Sequence, residues 1–129
     1  MPEDKEIIFG TEVSALPFLG ANSTTEKGEI LFPSVGKKIC LEVVNWSWFT
    51  DVNSGKQKPS LELKTETGEN YSRVVGANMA KTIAKFGYSH PDDLIGLFIT
   101  FEKYDTKSQS PKFRWGLRII AISENKTLE

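Results

Sequence analysis

Only one stretch of this chain spaces its apolar residues at the period of an α-helix. In GANMAKTIAKFG, residues 76–87, Ala80, Ile83 and Ala84 fall on one face, Met79 and Phe86 join its edge, and Lys81 and Lys85 stand opposite. Asn78 suits the N-cap and Gly87 the first residue past the helix. From Lys37 onward the other apolar runs alternate with period two. KKICLEVVNWSWFTD puts Ile39, Leu41 and Val43 on one face and Cys40, Glu42, Val44, Trp46 and Trp48 on the other. SLELKTET sets Leu61, Leu63 and Thr65 against Glu62, Lys64 and Glu66; Gly68 then turns the chain into NYSRVV, so these two runs read as a hairpin. LIGLFITFEKY opposes Leu97, Ile99 and Phe101 to Phe98, Thr100 and Glu102. KFRWGLRIIAI opposes Phe113, Trp115, Leu117 and Ile119 to Arg114, Arg118 and Ile120.

The order strand, strand, strand, helix, strand, strand excludes a parallel sheet wound with alternating helices. It predicts an all-β fold, a five-stranded Greek-key barrel with its main helix between strands 3 and 4. The first strand is long and apolar on both faces, which predicts a bend or bulge. Val44 and Cys40 look like core, so a change of face is expected near Asn45. Phe86, Phe98 and Phe101 are expected inside, and Trp115 is the tryptophan expected to be largely buried. YSHPDD offers Ser89 and Asp92 as a capping box.

Residues 1–36 are weakly patterned. ANSTTEKGE reads as a polar loop, and Glu6–Phe9 or Ile30–Phe32 is expected as a short edge strand. The chain thus divides into an acidic N-terminal arm over 1–36, a barrel domain over 37–122 and a short tail over 123–129. Six acids against Lys5 and Lys27 give the arm −4, thirteen Lys/Arg against nine Asp/Glu give 37–122 a charge of +4, and the tail adds −1. A near-neutral total therefore hides a basic body, which suits an anionic partner without suggesting a protein that coats nucleic acid by charge alone.

No apolar run approaches the roughly 20 residues of a membrane-spanning helix, so no membrane partner is expected. The acidic start MPEDKEIIFGTEV does not read as a signal peptide, and the single Cys40 forms no internal disulfide. Both predict an intracellular home, the cytoplasm of the host or producing cell. The Asn-x-Ser/Thr matches at Asn22, Asn45, Asn70 and Asn125 are then expected to be chance.

Catalysis is not expected. His90 and Cys40 are the only residues of their kinds, so zinc-type ligand spacing is absent. VGKK lacks the upstream glycine of a phosphate loop, Asp92–Asp93 reads as a solvated turn, and no nucleophile motif is present. No cofactor and no metal are predicted.

Binding has more support. Single-stranded nucleic acid is held by aromatic faces stacking on bases and by cations tracking phosphates. NWSWF runs into VNSGKQKP, a loop carrying Lys56 and Lys58, and the DTKSQSPK loop carries Lys107 and Lys112. Trp46, Trp48, Phe49, Tyr71, Phe113 and Trp115 are the candidate stacking rings. Lys56, Lys58, Lys64, Lys107 and Lys112, with Arg73, Arg114 and Arg118, are the candidate phosphate contacts. Trp46 and Trp48 share a parity and could equally be core.

Over about 37–122 the chain resembles the OB-fold, whose members bind oligonucleotides across strands 2 and 3 and the loops joining strands 1–2 and 4–5. The stretch NMAKTIAKFGYSHPDDLIGLFITFEKY is similar to that of phage-type OB-fold proteins that bind single-stranded DNA: a short helix, an acidic turn, hydrophobic-x-Gly, then strand 4. The resemblance implies a non-enzymatic single-stranded DNA-binding protein acting in replication, recombination or repair, with replication or recombination proteins as further partners. Single-stranded RNA is the alternative ligand. An OB-fold protein-interaction module and a viral structural module are the rival readings, the first favoured by the sequence pI near 5.9.

Overall fold

A computed structural model describes residues 16–110 and 114–125. The segment Glu6–Phe9, residues 111–113 and the end of the tail lie outside the described residues. Five strands form one antiparallel sheet: β1 Lys38–Thr50, β2 Gln57–Lys64, β3 Asn70–Val74, β4 Phe98–Asp105 and β5 Trp115–Ser123. Between β3 and β4 lie α1, Ala77–Lys85, and a 3-10 turn, Pro91–Leu94. The sheet order is β3-β2-β1-β4-β5. Among the described residues the fold is therefore mostly antiparallel sheet with one α-helix, as the single change of period predicts.

The core forms where the alternating faces meet. Leu41, Val43, Leu61, Leu63, Ile99 and Phe101 are fully buried, and Tyr71, Leu117 and Ile119 close around them. Each such side chain contributes roughly 1.5–3 kcal/mol on leaving water.

Strand β1 pairs with β4 through Lys38–Glu42 and with β2 through Glu42–Thr50, and its register slips between Val43 and Asn45. The expected change of face thus lies where predicted, but its sense differs. Before the slip Leu41 and Val43 are inward, while Cys40 and Val44 are only half-buried. After it Trp46 pairs with Leu61, so the tryptophans join the core side and Asn45, Ser47 and Phe49 take the opposite face. A bulge adds one residue and inverts all later side chains.

No ladder joins β3 to β5 among the described residues, and the sheet stays open there. The reason is local. The Ser72 N–H donates to the Pro17 carbonyl at 2.9 Å, and the Leu19 N–H donates to the Ser72 carbonyl at 2.7 Å. The free edge of β3 is taken at that point by a short parallel strap, which also shields it from other chains. From Leu16 on, the acidic segment is packed into the body: Leu19, Ala21 and Phe32 are buried, and the Lys103 Nζ donates to the Phe32 carbonyl at 3.0 Å. Ile30 makes only an isolated bridge to Thr24, so the edge pairing falls at Pro17–Leu19 instead of at Ile30–Phe32.

Helix α1 is capped two residues earlier than expected. Gly76 is the N-cap, with no side-chain hydrogen bond, and Asn78 lies inside the helix. Ile83 is buried and Met79 packs on the core, whereas Ala80, Ala84 and Phe86 are exposed. A nine-residue helix beside an open sheet seam has room to bury only the Met79–Ile83 edge. Its end is as predicted: Gly87 has φ +98°, and the N–H groups of Gly87 and Tyr88 bond Ala84 and Ile83 carbonyls. The capping box of the following turn uses His90 and Asp93, one residue later than Ser89 and Asp92.

Candidate nucleic-acid interface

The β1–β2 turn is built by Asp51. Its backbone N–H bonds the Lys56 carbonyl at 2.8 Å, its carboxylate accepts from Asn53 N–H at 2.9 Å, and Gly55 takes φ +72° to close the turn. The Asn53 N–H, with the Lys58 ammonium at 3.7 Å, holds the Asp51 carboxyl below its ordinary value. Lys56 is exposed and has no ion pair among the described residues; Lys58 is shared with Asp51. At the far end of β2, Lys64 is exposed between Glu42 and Asn70 on the neighbouring strands.

On the inward side of this hairpin, Trp46 is half-buried and packs on the core. Its indole N–H donates to Asp92 Oδ1 at 2.6 Å, and its ring meets His90 edge-on at 5.8 Å. Trp48 stands against it edge-to-face at 5.0 Å and 83°, yet is 56% exposed. One tryptophan is an anchor; the other is a presented surface. On the opposite face Phe49 is half-buried and meets the exposed ring of Phe18 at 6.3 Å and 86°.

The remaining expected residues divide differently. Tyr71 is 3% exposed, its hydroxyl donating to the Thr24 carbonyl at 2.7 Å, so it has no free face for a base. Burial, reinforced by the Glu69 carboxylate, raises its phenol above the usual value. Arg73 pairs with Leu61 in register and is therefore turned inward: its Nη1 donates to the Leu19 carbonyl at 2.8 Å and its guanidinium lies 5.8 Å from the Phe101 ring centre. Burial lowers its pKa. Alternation in NYSRVV placed both residues correctly on one side; that side is the core.

The β4–β5 loop leaves the sheet after Asp105, beyond the Lys38–Glu102 pair, whereas the β1–β2 turn follows Thr50. The two basic loops therefore depart from opposite ends of β1. Arg114 forks onto Asp105 with bonds of 2.7 and 2.9 Å and lies over the Trp115 ring at 4.8 Å, with Lys103 over the same ring at 5.5 Å. Trp115 is half-buried, less than expected. Arg118 donates to Glu102 at 2.8 Å and covers Tyr104 at 5.1 Å, while Lys107, at φ +66°, projects into solvent near Asp105. Gly116 packs closely here: a Cβ would meet the Tyr104 ring at 3.0 Å, so a side chain would have to displace that ring slightly. Lys112 and Phe113 lie outside the described residues.

Each arginine of the expected set is thus already engaged. The Arg114 fork holds the Asp105 carboxyl at about 2, helped by the Lys107 N–H. The depressed carboxyl makes this pair's contribution to stability fully present above the ordinary value of 3.8, and it is lost as pH falls through about 2. Arg114→Gln should return the Asp105 carboxyl toward its ordinary value in a carbon-detected NMR titration. An unmoved titration would mean that the loop backbone alone sets it.

Among the described residues no helix is long and apolar enough to cross a membrane, and no group of three His, Cys, Asp or Glu side chains is gathered as a metal would need. No protein-family model matches the chain, and comparison with curated proteins and with solved structures finds no match either.

Proposed function

We propose that the chain binds single-stranded DNA without catalysis, in replication, recombination or repair, using an OB-type barrel whose seam is held open by the Pro17–Leu19 strap. The sheet order, the helix between strands 3 and 4, and a first strand shared between β2 and β4 all support that fold. The observation that carries the function is Trp48. A ring 56% exposed, fixed edge-on by an anchored Trp46 beside the lysine turn, gives a base a rigid platform at little entropic cost. Lys56, Lys58 and Lys64 supply phosphate contacts on the same two strands and their turn. Arg114, Arg118 and Lys107 serve a strand that continues to the other loop, where phosphate competes with Asp105 and Glu102.

Stacking needs unpaired bases, so a single strand is expected to bind far more tightly than a duplex. The binding constant should fall with salt by about 0.7 logarithmic units per phosphate neutralised, with about three to five contacts. Lys56→Ala and Lys107→Ala should each flatten that slope by less than one contact and leave melting unchanged. Equal affinity for duplex, or no salt dependence, defeats this reading. A protein-binding surface is favoured instead by Val52, which is 91% exposed at the hairpin tip near Trp48. An unchanged single-strand affinity in Val52→Ser separates the two.

A further inference from the structure

On the face of β1–β2–β3 opposite the buried leucines lies a cleft of about 280 Å³. Phe18 of the strap and Phe49 of β1 form its aromatic wall. Its polar lining comes from one row across three strands, Asn45, Glu62 and Ser72, with Ser47 and Ser60 beside them. The volume is just below the roughly 300–1,000 Å³ of sites for drug-sized molecules, which suits one heterocycle and not a chain of nucleotides.

The chemistry of this row is unusual for a nucleic-acid surface. Among the described residues no lysine or arginine lines the cleft and the Glu62 carboxylate has no partner, so a phosphate is repelled there. Ser72 is 9% exposed, and its hydroxyl oxygen has no hydrogen-bond partner among the described residues. A buried polar group left in this condition is uncommon and marks the row as polar without an internal partner. The Asn45 Oδ1 already accepts from the Trp46 N–H at 2.8 Å, which leaves its amide nitrogen to donate. The site therefore offers two adjacent carboxylate acceptors, an amide donor, hydroxyls of either sense and an aromatic wall.

We propose that this cleft takes an unpaired guanine base of the bound strand. Guanine alone among the four bases presents two neighbouring donors, N1–H and the N2 amine, to the two oxygens of one carboxylate, with O6 beside them to accept from Asn45. Adenine and cytosine each pair one amine with an adjacent acceptor, and thymine sets a single N–H between two carbonyls. The inference rests on the single-strand reading and sharpens it: binding is stacking-led and tolerant elsewhere, but one position discriminates.

The full chain is titrated by fluorescence anisotropy with an all-dT oligonucleotide and with versions carrying one central dG, dI, dA or dC. The dG oligonucleotide should bind about tenfold more tightly than all-dT, and dI, which lacks the N2 amine, should fall most of the way back. Glu62→Gln should erase the dG-over-dI difference while leaving melting and all-dT affinity unchanged, since the carboxylate holds nothing among the described residues. Undiminished all-dT binding with no preference for dG over dI overturns the guanine site alone. Loss of all single-strand binding by the native chain overturns the function and the site together. Free guanosine monophosphate binding as tightly as the dG oligonucleotide also overturns it, because the site would then serve a nucleotide and not a strand.

Discussion

Phe32→Ala should lower the free energy of unfolding by about 3–5 kcal/mol, a large share of what a domain of this size possesses. Phe32 is fully buried, and it comes from the acidic segment that charge and weak patterning present as an arm. Its ring belongs to the same buried core as Leu19 and Ala21, and its carbonyl holds the Lys103 ammonium. Removing the ring leaves a cavity that the β-sheet around it cannot collapse to fill. Ile30→Ala, two residues earlier and exposed, should change stability by no more than about 0.5 kcal/mol. Thermal and urea unfolding of the two variants check the contrast. If Phe32→Ala melts with the native chain, residues 16–36 are ancillary and the strap on β3 is a loose attachment.

The strands were legible because period two is a direct statement about faces. Leu61, Leu63 and Thr65 are all buried, as their alternation requires, and Ile83 anchors the only stretch with a helical period. The N-terminal segment was not legible, because a strap that pairs at one residue and buries single side chains at wide spacing has no period to detect. Phe18 was missed for the same reason: SALPFLG shows an apolar cluster but not that its phenylalanine lies on the outer face of β1–β2–β3. Tyr71 and Arg73 illustrate a different limit. Parity grouped them correctly, but a tyrosine and an arginine on one side read equally well as groove or core, and only the Thr24 and Leu19 carbonyls decide for core. Alternation sets Glu62 opposite Leu61 and Leu63, and the structure does the same; its place in one row with Asn45 and Ser72 depends on the slip at Val44.

That slip also determines the second large effect. Because Trp46 and Trp48 have the same parity, sequence alone assigns them one fate. The structure separates them by position along the strand: Trp46 is over Leu61 and tied to Asp92, while Trp48, opposite Pro59, has passed the end of the core. Trp48→Ala should therefore weaken single-strand binding by about 1–3 kcal/mol, five- to 150-fold, and leave melting nearly unchanged. Trp46→Ala should cost about 2–3 kcal/mol of stability, below the 3–5 of a fully buried ring, because part of its surface is already wet. Binding by its folded fraction should weaken too, since Trp48 loses the edge that fixes it. Trp46→Phe is the discriminating variant. It keeps an aromatic edge but gives up the bond to Asp92, so it should recover most of the stability while Trp48 stays in place and binding approaches native strength. If Trp48→Ala melts early and still binds fully, the exposed ring is a structural prop. The contact with bases would then fall to Phe18 and Phe49 on the opposite face of the same hairpin.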